Sequence, residues 1–169
     1  MGGATAGDGA TSTGAFHEGL NQAAVENLPV VVAVADNQFA YSTPTTRQYA
    51  CENLVDRAAG YGVSGYAIDG TNLEACLETF DTAVNAARAG KGPQLVVGKL
   101  LRLSGHGEHD DGSYVPDEVK AGDFGKDCVA EARARGLAAG VFSEAEVTSI
   151  EEEILSEVEA SFSKAQSEP

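Results

Sequence analysis

Three short stretches carry residue types that could do chemistry. The first is Gly7-Asp8-Gly9, followed at once by "ATSTGAFHEGL". Glycines flanking an acid let the backbone turn tightly and approach a ligand closely. A helix capped by Ser12 or Thr13 would offer unpaired N–H groups and a positive dipole end to an anion. Asp8 would repel that anion unless a cation lay between them. The second stretch, Asp36-Asn37, ends the apolar run "VVVAVA" of residues 30–35 and offers more side-chain oxygens. Asp8, the Asn37 amide oxygen and a nearby main-chain carbonyl would suit a hard divalent ion such as Mg2+, completed by phosphate oxygens. From Gly-Asp-Gly alone, two ordinary turns are the better account of these residues. The third stretch, "RLSGHGEHDD" at 102–111, sets His106 and His109 among three acids. It fits a catalytic loop or a plain polar one; histidines three apart on an irregular segment make a poor metal pair. His17, on the first helix, reads as a helix-face histidine bonded to a neighbour.

The elements that must position these groups follow from periodicity. Phe16, Leu20, Ala23 and Ala24 share one face of a helix that Asn27 and Pro29 stop. The run 30–35 reads as a strand buried on both faces, the mark of a parallel sheet. Residues 52–62 read as a short helix closed by glycines, 64–68 as a strand, and 73–89 as an amphipathic helix ending at Gly90. A third strand covers 93–101, a polar loop 102–123 and a helix 126–140. Ser143 and Glu146 form a capping box for a last helix with a core stripe of Val147, Ile150, Ile154, Val158 and Phe162. The residues before Gly7, "MGGATA", do not read as a strand. Alternation of strands and helices predicts a doubly wound, mainly parallel α/β sheet. The Asp8 and Asn37 loops then leave its carboxyl edge, where open α/β folds bind ligands. Two apparent motifs fail on context. "GYGVSG" (60–65) follows a helix and opens a strand, the reverse of a dinucleotide fingerprint, and "AGKGP" (89–93) lacks the upstream glycine of a phosphate-binding loop.

Composition narrows the classes. The 169 residues carry a net charge of −15, unsuited to nucleic acid or an anionic membrane. Residues 143–169 hold eight glutamates against Lys164 alone, read as a solvated helix face. No apolar run is long enough to span a bilayer, no secretory signal is legible, and Ala6 breaks a myristoylation pattern, so a cytoplasmic location is expected. Cys51, Cys76 and Cys128 lack metal or disulfide spacing and are expected to be reduced, mostly buried thiols.

Together the stretches from Gly7 to Pro116 resemble the alpha subunit of thiamine diphosphate-dependent 2-oxoacid dehydrogenases, the decarboxylating component of the pyruvate, branched-chain and acetoin complexes. That family pairs Gly-Asp-Gly with a later Asn-Asn; here 26 residues separate Gly9 from Asp36, which replaces the first Asn, and Asn37 is kept. Arg102, Gly105, His106 and Asp110 match the family's Arg-x-x-Gly-His-Ser-x-x-Asp loop, with Gly107 where relatives carry a serine that is phosphorylated in some. The resemblance implies a thiamine diphosphate-binding fold over 1–169 that lacks its N-terminal portion, with C-terminal helices from about 124. It implies Mg2+ held by Asp8, Asn37 and the Phe39 carbonyl, and thiamine diphosphate held by Asp8, Gly9, Ala10, Asn37, Ala40 and His106. His106 would be catalytic, steadying charge over the cofactor. The implied reaction is oxidative decarboxylation of a 2-oxo acid with acyl transfer to a lipoyl group. The implied partners are a beta subunit bearing the activating glutamate, a second alpha subunit and a lipoyl-bearing acyltransferase. The family's alpha subunit is longer, so the strand feeding Gly-Asp-Gly is expected to be missing and the isolated chain to bind cofactor poorly. The alternative is a non-catalytic assembly module that keeps the fold without the cofactor.

Overall fold

The computed structural model describes residues 1–168 and contains two compact units, Met1–Cys128 and Val129–Pro169. The first is built on a four-stranded, wholly parallel sheet of order β1-β2-β6-β5. Its strands are β1 (Gly2–Gly7), β2 (Val30–Asp36), β5 (Ser64–Asp69) and β6 (Gln94–Lys99), and a two-residue ribbon pairs β3 (Phe39–Ala40) with β4 (Thr43–Pro44). Helices α1 (Gly14–Val25), α2 (Arg57–Tyr61) and α3 (Leu73–Arg88) form the connections, and the one-turn α4 (Asp117–Lys120) interrupts the segment read as an aperiodic loop.

The expectation that nothing strand-like precedes Gly-Asp-Gly is overturned. Gly2 to Gly7 pair in parallel register with Val30 to Ala35, so the loop does hang from a strand. A stretch of small residues has little intrinsic preference for a strand; pairing with the branched Val30–Val34 edge supplies it. β1 is an edge strand, and an apolar groove of about 490 Å3 lies along it and α1, lined by Ala4, Ala6, Phe16, Leu20 and Val32 among others.

Both faces of the sheet are covered. Leu20, Val34, Leu54, Ala58, Leu95 and Val97 pack on one side, and Val31, Ala83, Ala87 and Val96 on the other. Each fully buried Val or Leu contributes about 1.5–3 kcal/mol. β6, read as a strand over 93–101, is central and buried from Gln94 to Val97. β2 matches less well, since Ala35 is exposed. α3 buries Ala83 and Ala87 but leaves Leu73 and Leu77 open. The start of α1 behaves as read, capped by the Thr13 side chain, and the structure adds an Asn72 cap on α3. Gly62 takes φ 69° to end α2, a left-handed turn that L side chains resist. The three cysteines are free thiols of intermediate exposure, more open than expected.

The second unit holds α5, which begins at Cys128 and runs to Ala138, and α6 (Glu144–Ser167). The capping box is present: the Glu146 amide donates to Ser143 Oγ and the Ser143 amide donates to Glu146 Oε2. Arg133 pairs with Glu144 and Glu151. The stripe read as core is not core. Ile150, Ile154, Val158 and Phe162 are each more than half exposed, because periodicity fixes which face is apolar and not what covers it.

Candidate functional site

The Gly-Asp-Gly loop leaves β1 directly into a short 3-10 turn (Gly9–Ser12) that runs into α1. Three contacts hold it down. The Asp8 amide donates to Ala35 O on β2 at 3.2 Å, Thr11 Oγ1 donates to Asp8 O at 2.5 Å, and Arg57 Nη1 donates to Thr11 O and Oγ1 at 2.5 and 2.9 Å. The Arg57 guanidinium also lies 5.6 Å from the centre of the Tyr49 ring. Asp8 is 1% exposed, and among the described residues its side-chain donor is Gln48, whose Nε2 reaches Oδ2 at 2.6 Å. Gly9 lies so close to the ribbon that an added Cβ would sit 2.5 Å from Ala40 Cβ. Only glycine permits that approach.

After β2 the chain turns through Asp36-Asn37-Gln38. Asn37 Oδ1 accepts from the Phe39 amide at 3.2 Å, and Gln38 holds φ 70°. Tyr41, at the tip of the ribbon, holds φ 53°. Positive φ costs a non-glycine residue about 1 kcal/mol or more. The Phe39 ring is anchored with Leu101 and Val115. Asp36, paired with Asn37 as an oxygen donor in the sequence reading, points elsewhere. Its carboxylate accepts from the Gln38 amide and the Tyr49 hydroxyl, and it lines a neighbouring cleft with Tyr49, Asp69 and Lys99. Burial pushes its carboxyl above the usual aspartate range, with the nearby Asp8 charge adding and the two hydrogen bonds opposing. Burial, then the Asp36 charge, pushes the Tyr49 phenol up to about 12.

The histidine loop follows β6. Arg102 Nη1 donates to Tyr41 O at 3.0 Å and to the Tyr114 hydroxyl at 2.6 Å, while Nη2 lies 3.5 Å from His106 Nδ1. Asp110 Oδ2 accepts from the His106 amide and the Tyr114 hydroxyl, and Oδ1 from the Gly112 amide. The His106 and Gly112 amides and the Tyr114 hydroxyl hold the Asp110 carboxyl at about 2, the His106 amide contributing most. Gly105 is obligatory, since a Cβ there would fall 1.7 Å from Asp110 O. The Tyr41 ring meets His106 edge-on with centroids 5.2 Å apart and stacks on Tyr114 at 6.2 Å. Guanidinium groups only donate, so a hydrogen bond from Arg102 to Nδ1 would require the tautomer bearing its proton on Nε2.

These loops converge. Gly7, Asp8, Gly9, Ala10, Asn37, Phe39, Ala40, Tyr41, Arg102 and His106 line one cleft of about 290 Å3 at the carboxyl edge of the sheet. Asp8, Gly9, Ala10, Asn37, Phe39, Ala40 and His106, the site residues the resemblance implies, all line it, whereas Asp36 does not. The carboxylate, amide and carbonyl oxygens are a donor set suited to a hard divalent ion, and Gly9 and Ala10 put backbone on the same wall. His109 contacts the cleft through Tyr41, whose hydroxyl is 3.5 Å from its Nε2. His17 contacts the Tyr61 hydroxyl on α2, as a helix-face histidine would. Sequence reasoning missed Gln48, Tyr41 and Tyr114, which belong to no spaced motif and gain their roles from the ribbon and the loop closing on one another.

The family model for the dehydrogenase E1 component matches residues 1–169. The alpha subunit of an acetoin:2,6-dichlorophenolindophenol oxidoreductase from Cupriavidus necator is 36% identical over 96% of this chain and 49% of its own length. A pyruvate dehydrogenase E1 component subunit alpha from Acholeplasma laidlawii is 34% identical over 96% and 48%. The chain thus spans about half the length of these curated relatives. A 3-methyl-2-oxobutanoate dehydrogenase subunit alpha from Mycobacterium tuberculosis is 45% identical over 62% of this chain and 29% of its own. Among solved structures, a transketolase from Campylobacter jejuni superposes with a TM-score of 0.54 at 21% identity, covering 66% of this chain and 17% of that one, a likeness of fold alone. By sequence match along its whole length, the chain belongs to the dehydrogenase E1 component family.

Proposed function

We propose that the chain is an alpha-subunit segment of a cytoplasmic 2-oxoacid dehydrogenase, and that its cleft holds the diphosphate end of thiamine diphosphate through Mg2+. The observation that carries this is the meeting of Asp8, Asn37, Phe39 and His106 in one cleft. Asp8 and Asn37 would bind the ion through side-chain oxygens and Phe39 through its main-chain carbonyl. The N–H groups of Gly9 and Ala10 would donate to diphosphate oxygens at the start of the 3-10 turn, and Ala40 would close the wall against Gly9. When bound, thiamine diphosphate supplies the electron sink for loss of carbon dioxide from a 2-oxo acid. His106, with its proton on Nε2, would donate a hydrogen bond to developing negative charge. Arg102 lies against its Nδ1, and Asp110 accepts from its main-chain amide.

The assembled enzyme would join this segment to the rest of an alpha subunit, a second alpha subunit, a beta subunit and a lipoyl-bearing acyltransferase that accepts the acyl group. Calorimetry with thiamine diphosphate and Mg2+ tests the chain alone, for which weak or absent binding and no turnover are expected. Adding a matching N-terminal half and a beta subunit should restore decarboxylation. If the reconstituted assembly binds no cofactor, the half-site reading fails. The exposed stripe of α6 favours a second reading, an assembly module without catalysis. That reading gains if a complex forms through α6 and stays ligand-free.

A further inference from the structure

We infer that Gln48 is the positioning residue for the Asp8 carboxylate, a role that rests on the proposed cation site. Gln48 follows the ribbon, its amide bonded back to Thr45 O and its carbonyl accepting from Ser12 Oγ at 3.1 Å, so the loop and the ribbon grip its backbone together. Its side chain reaches back beneath the cleft. Nε2 donates to Asp8 Oδ2 at 2.6 Å and to Thr43 O at 2.9 Å. Oε1 is buried and, among the described residues, has no hydrogen-bond partner. It faces the Gly9 backbone, 3.9 Å from where a Cβ on that residue would be.

An orphaned buried acceptor is unfavourable and uncommon in a settled core. Turning the amide over does not relieve it, because Oε1 would then face two acceptors, Asp8 Oδ2 and Thr43 O. The orientation is therefore fixed by the Asp8 charge, and the amide keeps it although one of its own atoms goes unsatisfied. The result is directional. Gln48 takes one lone pair of Oδ2, and Oδ1, with no donor among the described residues, is the oxygen assigned to the cation as a single-oxygen ligand. Partners of this kind set ligand orientation, and their loss typically lowers metal affinity about 10–100-fold. Gln48 does not line the cleft itself, so it acts through Asp8 and not by touching the ion.

The test uses the assembly of this 169-residue segment with a matching N-terminal half and a beta subunit, and Mn2+ as the probe, read by electron paramagnetic resonance and water-proton relaxation. The surface is acidic, so the site's own binding is defined as the component lost in Asp8→Asn. Gln48→Met keeps the length and removes the donor. It should weaken that component at least about tenfold while the melting temperature stays at the parent value. If the component is present and Gln48→Met leaves it unchanged, the Gln48 role is wrong and the cation site stands. If parent and Asp8→Asn bind alike, Asp8 is no ligand and both readings fall. Should Gln48→Met melt early, nuclear magnetic resonance of the parent decides. The Gln48 side-chain amide should exchange slowly and shift on adding Mg2+, and a freely exchanging amide that ignores Mg2+ overturns the inference.

Discussion

Replacing Gly9 with alanine should displace the ribbon from the Gly-Asp-Gly loop. The new Cβ would fall 2.5 Å from Ala40 Cβ and 3.6 Å from Ala40 Cα. Carbon atoms rest at about 3.5–4.0 Å, so roughly 1 Å of separation must be found. Neither atom is the end of a flexible side chain, and backbone has to move. Overpacking of this kind costs about 1–3 kcal/mol, which in a chain of this size lowers the melting temperature by about 3–10 °C. Thermal unfolding followed by circular dichroism reads that loss. A second substitution isolates its cause. Ala40→Gly removes the obstructing atom, so the double variant should melt above Gly9→Ala even though glycine alone weakens a ribbon by about 0.5–1 kcal/mol. A Gly9→Ala protein melting within about 1 °C of the parent, or a double variant no better than the single one, would refute the close-packing argument.

Other outcomes follow from the same geometry. Asp110 has its carboxyl held at about 2 against an ordinary 3.8, so its contribution to loop order is present above pH 3.8 and is lost as pH falls toward 2. Amide exchange at His106 should accelerate over that window, and Asp110→Asn should abolish the pH dependence. Arg102→Met removes the donor at His106 Nδ1, so imidazole 15N shifts should move from the Nε2–H tautomer toward a mixture; unchanged shifts would mean that Arg102 does not set the tautomer. Ile154→Ser with Val158→Ser changes two side chains more than half exposed on α6. The pair should alter stability by no more than about 0.5 kcal/mol per site while reducing any self-association seen by sedimentation velocity.

The parts legible in the sequence are those where local pattern and tertiary role agree. The strand at β6, the Thr13 cap and the Ser143–Glu146 box follow from residue type and spacing, and the structure keeps them. β1 was illegible because Gly2, Gly3, Ala4 and Ala6 carry no strand signal of their own; its strand character comes from register with β2. The available signal was chemical, since a Gly-Asp-Gly loop followed by a helix calls for a strand before it. The α6 stripe failed in the opposite way, its period correct and its burial wrong. The residues gathered in the cleft were legible because the motifs sit at strand ends, which a parallel sheet brings to one edge. Gln48 was not, because an aspartate held from behind depends on where a two-residue ribbon turns, and no repeat or motif encodes that.

The central claim is that Asp8, Asn37 and Phe39 share one cation. Crystals of the reconstituted assembly grown with Mn2+ and thiamine diphosphate, measured for anomalous scattering, test it most directly. The account predicts a single strong peak in the cleft, about 2.0–2.2 Å from an Asp8 carboxylate oxygen, Asn37 Oδ1 and the Phe39 carbonyl oxygen. A bound metal ligated by other residues, with Asp8 still engaged only by Gln48, would contradict it.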